Sequence, residues 1–156
     1  SCFAKVGPVL ESLTKIVGRS SMVSMFEKPK FRDYVNSLNR DTRQRLATGF
    51  CELLHGNSEK GFNQVLDILI EGKLAKWSLI TICPLYVNPE REVFVKPTTA
   101  KKIIEHLELD DLVYKPRPSW EFYKGFRESV LHMKTLVDPS VAPSNAAFTG
   151  FLMMSL

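Results

Sequence analysis

Asp41–Gly72 reads DTRQRLATGFCELLHGNSEKGFNQVLDILIEG, and the recurrence of its apolar residues decides the fold class. Leu46, Phe50, Leu53 and Leu54 return at three- and four-residue steps, which is one face of a helix and not the alternation of a strand. Asp41 stands where a helix needs an acceptor for its free N–H groups, and Gly56 where a left-handed C-terminal residue is favoured. From Ser58, read as a cap, the pattern repeats through Phe62, Val65, Leu66 and Leu69, stopping near Gly72. Two helices joined by so short a turn are expected to pack antiparallel.

Upstream, Ala4–Val17 carries Val6, Leu10, Leu13 and Ile16 at helical spacing, with Pro8 close enough to the start to be tolerated and Gly18 at the end. Arg19–Pro29 reads as a Ser-bearing connection, and Phe31–Leu38 as a short helix entered at Pro29. Downstream, Lys76–Tyr86 is read as a helix, although Ile80, Thr81 and Ile82 also suit a strand. Two short extended segments, EVFVK (Glu92–Lys96) and LVYK (Leu112–Lys115), flank a helix capped at Thr98 or Thr99 and running to about Leu107. Ser119 caps a helix with Phe122, Tyr123, Phe126, Val130, Met133 and Val137 on one side. Pro139 and Pro143 break the chain, and Ser144 caps a last helix, Asn145–Leu156, whose lack of charge implies burial. The expectation is an all-α single domain over residues 1–156. It has seven or eight helices and at most one short two-stranded β element, formed by EVFVK and LVYK.

The composition, 44% hydrophobic and 24% charged in 156 residues, suits one soluble domain with a real core. Opening on Ser1 rather than Met is compatible with a piece of a longer chain. Cys2, Cys51 and Cys83 are odd in number and show no paired spacing, which argues against a disulfide framework and for a reducing compartment. With no run of about 18 apolar residues and no signal peptide visible, the chain reads as cytoplasmic, with no membrane partner.

Lysine and arginine number 21 against 17 aspartate and glutamate, a net charge of +4. The surplus concentrates in one window: Lys28, Lys30, Arg32, Arg40, Arg43 and Arg45 face only Asp33 and Asp41. Such a cluster is either an electrostatic footprint for phosphates or a solvated surface. A second candidate surface lies on the Ser119 helix, where Trp120, Lys124, Arg127 and Lys134 offer a ring for base stacking and cations for phosphates. The competing reading packs Trp120 into the core and lays the cations along the helix.

Other chemistry is thin. Cys51 and His55 share a helix face but lack two further ligands for a metal. ILIEGK (Ile68–Lys73) resembles the acid-x-lysine element of metal-dependent nucleases, with Glu71 to hold a cation and Lys73 to steady the reacting oxygen, but no convincing upstream aspartate accompanies it. Glu105 and His106 are adjacent and diverge on a helix, and Asp110 and Asp111 read as a helix end. There is no phosphate-cradling glycine loop and no nucleophile elbow. No cofactor is expected.

In the second half, Trp77-Ser78, then Pro89-Glu90-Arg91 leading into VFVKPTTAKK, then LVYKPRPSWEFY, resemble an uncharacterised helical domain of bacterial hypothetical proteins. Related segments precede the AAA+ motor of McrB-like restriction proteins. The resemblance covers about Trp77–Leu152 and implies a helical accessory domain in a DNA-related or defence setting, without a catalytic residue to carry over. The functional expectation is a non-enzymatic binding or accessory module with DNA or RNA as partner. The alternatives are a protein-interaction module docking through a helix such as Asn145–Leu156, and a nuclease centred on Glu71 and Lys73.

Overall fold

The computed structural model describes residues 2–137 and 144–155, and these form eight α-helices with no strand. After a 3-10 turn at Cys2–Ala4 come α1 (Val6–Arg19), α2 (Glu27–Ser37), α3 (Arg40–His55) and α4 (Ser58–Glu71). They are followed by α5 (Trp77–Val87), α6 (Pro97–His106), α7 (Trp120–Thr135) and α8 (Asn145–Ser155). The expected break at Pro139 and Pro143, and the end of the last helix at Leu156, lie outside the described residues.

The α3–α4 pair is the antiparallel hairpin that the periodicity implies, with caps one or two residues from where they were expected. Asn39, rather than Asp41, accepts from Thr42 N at 2.8 Å, and Asn57, rather than Ser58, accepts from Lys60 N at 3.1 Å. Ser58 instead donates to Leu53 O at 3.1 Å, tying the turn to α3. Gly56 is not left-handed, since its φ is −129°, and Glu52 closes the corner by accepting from Asn57 N at 2.7 Å. Between the helices the backbones come very close at Gly61, where a Cβ would sit 2.2 Å from Leu53 N and 2.5 Å from Gly49 O.

Two further expectations are corrected. At the start of α6 neither Thr98 nor Thr99 caps; Pro97 opens the helix, where its missing N–H costs nothing, and no side chain accepts at Lys96. The two-stranded element is not formed: residues 92–96 and 112–115 belong to no regular element and do not pair as strands. Their backbone groups are met by side chains instead. Val95 N donates to Thr81 Oγ1 at 3.1 Å, Val93 N to Tyr123 Oη at 3.2 Å, and Lys115 O accepts from Trp77 Nε1 at 2.9 Å. For the Val93 and Val95 amides these side-chain acceptors take the place of a ladder.

One apolar cluster runs from Leu10 in α1 to Phe148 in α8. Its centre is aromatic. Phe62 of α4 stacks on Tyr123 of α7 at 5.7 Å, and Trp77 of α5 tilts against Phe122 at 5.2 Å, so these rings join the hairpin to the second half. In α8, Asn145, Phe148 and Thr149 are buried and Leu152 packs partly buried against the core, whereas Met154 is 90% exposed, so the expected burial does not extend to that residue.

The cysteine expectation is overturned: Cys2 and Cys51 are joined in a disulfide with Cα atoms 5.9 Å apart, pinning the N-terminal turn to α3. Parity misled because the third cysteine, Cys83, is fully buried and takes no part. Burial pushes its thiol up to about 12, so it stays protonated and unreactive at neutral pH. Alkylation followed by intact mass should therefore add nothing to the native oxidised protein, one adduct after denaturation without reductant, and three after reduction. Two or three adducts in the unreduced sample would show that the bond is not made.

Candidate functional site

The α2–α3 cations occupy two consecutive helices separated by Leu38 and Asn39. Lys30, Arg32, Arg40 and Arg45 are exposed and Lys28 is partly buried. They do not share one stripe. Lys28 and Arg32 flank one side of the buried pair Phe31 and Val35, whereas Lys30 lies about 200° around α2 from Lys28. Arg40 and Arg45 are about 140° apart on α3. Arg32 pairs with Asp33 at 3.1 Å in solvent, a contact worth little. Arg43 is used internally: its Nη1 donates at 2.8 Å to Val35 O, a carbonyl of the last turn of α2 that also accepts from Leu38 N at 3.3 Å, and a cation there suits the helix dipole.

The second surface is largely turned inward. Arg127 is only 9% exposed, with Nη1 3.1 Å from both carboxylate oxygens of Glu92 and its guanidinium over the rings of Trp120 and Tyr123 at 5.5 Å. Trp120 packs edge-on against Phe62 at 5.7 Å, so its ring serves the core before any base. Lys134 donates to Asn145 Oδ1 at 3.0 Å and lies 3.6 Å from Glu90. Lys124 alone of this set is exposed.

Around Glu92 these residues form the main buried polar network. Tyr123 Oη donates to Glu92 Oε2 at 2.5 Å, and Asn145 Nδ2 donates to the Glu92 carbonyl at 2.7 Å. Burial first, and the Glu92 charge second, push the Tyr123 phenol well above its ordinary range. Each polar group is satisfied, so the network reads as a clasp joining residues 92–96, α7 and α8. The periodic reading missed it, because Glu92 is a single carboxylate opening an apolar run. That mismatch was the available signal.

The remaining candidates separate. Glu71 is exposed on the last residue of α4, and Lys73 follows with φ 57° in the turn beyond it. No group of three or more His, Cys, Asp or Glu side chains able to hold a cation exists among the described residues. Cys51 is spent in the disulfide and cannot join His55 in binding a metal. No helix among the described residues is long and apolar enough to cross a membrane.

An apolar surface not anticipated from the sequence lies along α1. Two adjoining grooves of about 390 Å³ each meet at Ile16, between α1, the 20–22 loop and the C-terminal end of α5. Beside them Tyr86 is 70% and Val87 43% exposed, and further along the loop Met25 and Phe26 are each 82% exposed. No family model, curated protein or solved structure matches the chain.

Proposed function

We propose that the chain is a non-enzymatic helical binding module whose cations on α2 and α3 meet the phosphates of a nucleic acid. The observation that supports this is five basic side chains, Lys28, Lys30, Arg32, Arg40 and Arg45, reaching solvent from two consecutive helices, with a single carboxylate, Asp33, paired to one of them. Cations spread around two neighbouring helices suit a backbone that curves past them better than a base-reading edge, so the binding would be insensitive to sequence. The resemblance of Trp77–Leu152 to an uncharacterised helical domain, related to segments that precede the AAA+ motor of McrB-like restriction proteins, supports the same setting. A cytoplasmic location belongs to this reading, and it requires that Cys2 and Cys51 work reduced in the cell, since disulfides persist where thiols are oxidised.

Titration against duplex and single-stranded DNA and RNA tests the reading. About five phosphate contacts predict a loss of affinity on the order of 500-fold between about 50 and 200 mM salt. The double variant Lys30→Glu, Arg45→Glu should flatten that salt dependence. No retention of any of the four nucleic acids at low salt would end this reading. A protein-interaction role is the second reading, favoured by the exposed apolar residues beside α5.

A further inference from the structure

We infer that the trough between α1 and the end of α5 is a docking site for an acidic amphipathic helix of a partner protein. The inference rests on the protein-interaction reading and names its partner class. Its floor is apolar: Ile16, Ile82 and Leu85 lie at the bottom of one groove, and Val9, Leu13 and Leu54 continue it in the other. Exposed Tyr86 and Val87 stand on the α5 side and Met22, 38% exposed, on the loop side, so apolar surface is available without any rearrangement. Large exposed apolar residues gathered at a groove mark interaction surfaces, unlike the same residues scattered singly.

Charge and length select the occupant. The two grooves are lined by three cations, Lys5, Lys15 and Arg19, and by no carboxylate. Only Lys15 has a carboxylate partner, Glu11 at 3.1 Å, with both side chains more than half exposed and the pair correspondingly weak. The trough follows α1, whose 14 residues extend about 21 Å, the length of a four-turn helix. A partner helix would place leucine-type side chains at i, i+3, i+4 and i+7 on the floor and carboxylates along the edge facing Lys15 and Arg19. A nucleic acid would find cations here too, but not phosphates' usual companions: the floor is aliphatic and offers no ring for a base except Tyr86 at its edge.

The test uses a fluorescein-labelled 14-residue amphipathic peptide with leucines at those positions and glutamates on the flanks. A second peptide has lysine replacing every glutamate, and a 14-nucleotide single strand completes the set. The acidic peptide is expected to bind at least tenfold more tightly than the basic one. Tyr86→Ala and Arg19→Glu, both at exposed positions, should each weaken it about tenfold, whereas Arg45→Glu, which lines neither groove, should not. Equal binding of both peptides, or none, overturns the proposal. So does binding of the oligonucleotide that Tyr86→Ala and Arg19→Glu abolish. If sedimentation shows self-association lost in Tyr86→Ala, with neither peptide bound, the trough joins two copies: the proposal fails, and the protein-interaction reading survives. Loss of oligonucleotide binding in the Lys30 and Arg45 variants bears on the α2–α3 face alone.

Discussion

Gly61→Ala is expected to lower the melting temperature by about 4–12 °C, although alanine is the better helix former. The Cβ it introduces would stand 2.2 Å from Leu53 N and 2.5 Å from Gly49 O, both backbone atoms that no rotamer change can move. Helices α3 and α4 must separate to admit it. Overpacking of this kind costs about 3 kcal/mol or somewhat more, and the gain in helix propensity returns about 1 kcal/mol, leaving a net loss of about 2–3 kcal/mol. For a chain of this size each kcal/mol moves the midpoint by about 2–4 °C. Gly49→Ala is the milder control, because its Cβ would meet the Val65 side chain at 3.0 Å, and a side chain can shift. Thermal unfolding followed by circular dichroism decides it. An unchanged midpoint for Gly61→Ala would mean that the two helices do not approach so closely.

Glu92→Ala should be the more damaging substitution, at about 3–5 kcal/mol, because it strands a buried cation. Arg127 would lose both contacts at 3.1 Å, and Tyr123 Oη its acceptor, in a site where water does not replace them. Replacing both charged partners with apolar residues, Glu92→Leu with Arg127→Met, should recover much of the loss, and a double-mutant cycle in urea reads the coupling directly. Additive losses would show that the pair does not act together. The same network sets an alkaline limit. Folding raises the Tyr123 phenol, so the native protein keeps a proton that the unfolded chain releases near pH 10. The resulting stability is complete below that pH and falls as the pH rises above it. The urea midpoint should drop between about pH 9 and 11, and Tyr123→Phe should flatten that drop.

Helix positions were legible because each buried face repeats at the helical period over more than two turns, as in Leu46–Leu54 and Phe122–Val130. Caps were less so. Asp41 and Ser58 are good cap residues by type, but a cap also needs extended backbone, which Asn39 and Asn57 supply with ψ of 168° and 96°. EVFVK announces its extended conformation through β-branched and aromatic residues, while its partners, Thr81, Tyr123 and Asn145, are as many as 53 positions away along the chain. The same blindness affected the surface on α7. Arg127 and Lys124 look equivalent in sequence, and only the presence of Glu92 behind one of them turns it inward. The trough along α1 left a trace in Ser21–Phe26, SMVSMF, a loop too greasy to be only a linker.

The unpaired EVFVK segment has one more implication. Val93, Phe94 and Val95 are the kind of run that, released into solvent, recruits its like from other molecules into cross-strand stacks. Here three helices enclose it, α5 and α7 accepting from its Val95 and Val93 amides and α8 donating to its Glu92 carbonyl, so the chain retains a sticky sequence without presenting an open edge. Whatever loosens α7 or α8 from it turns a loss of packing into a colloidal hazard.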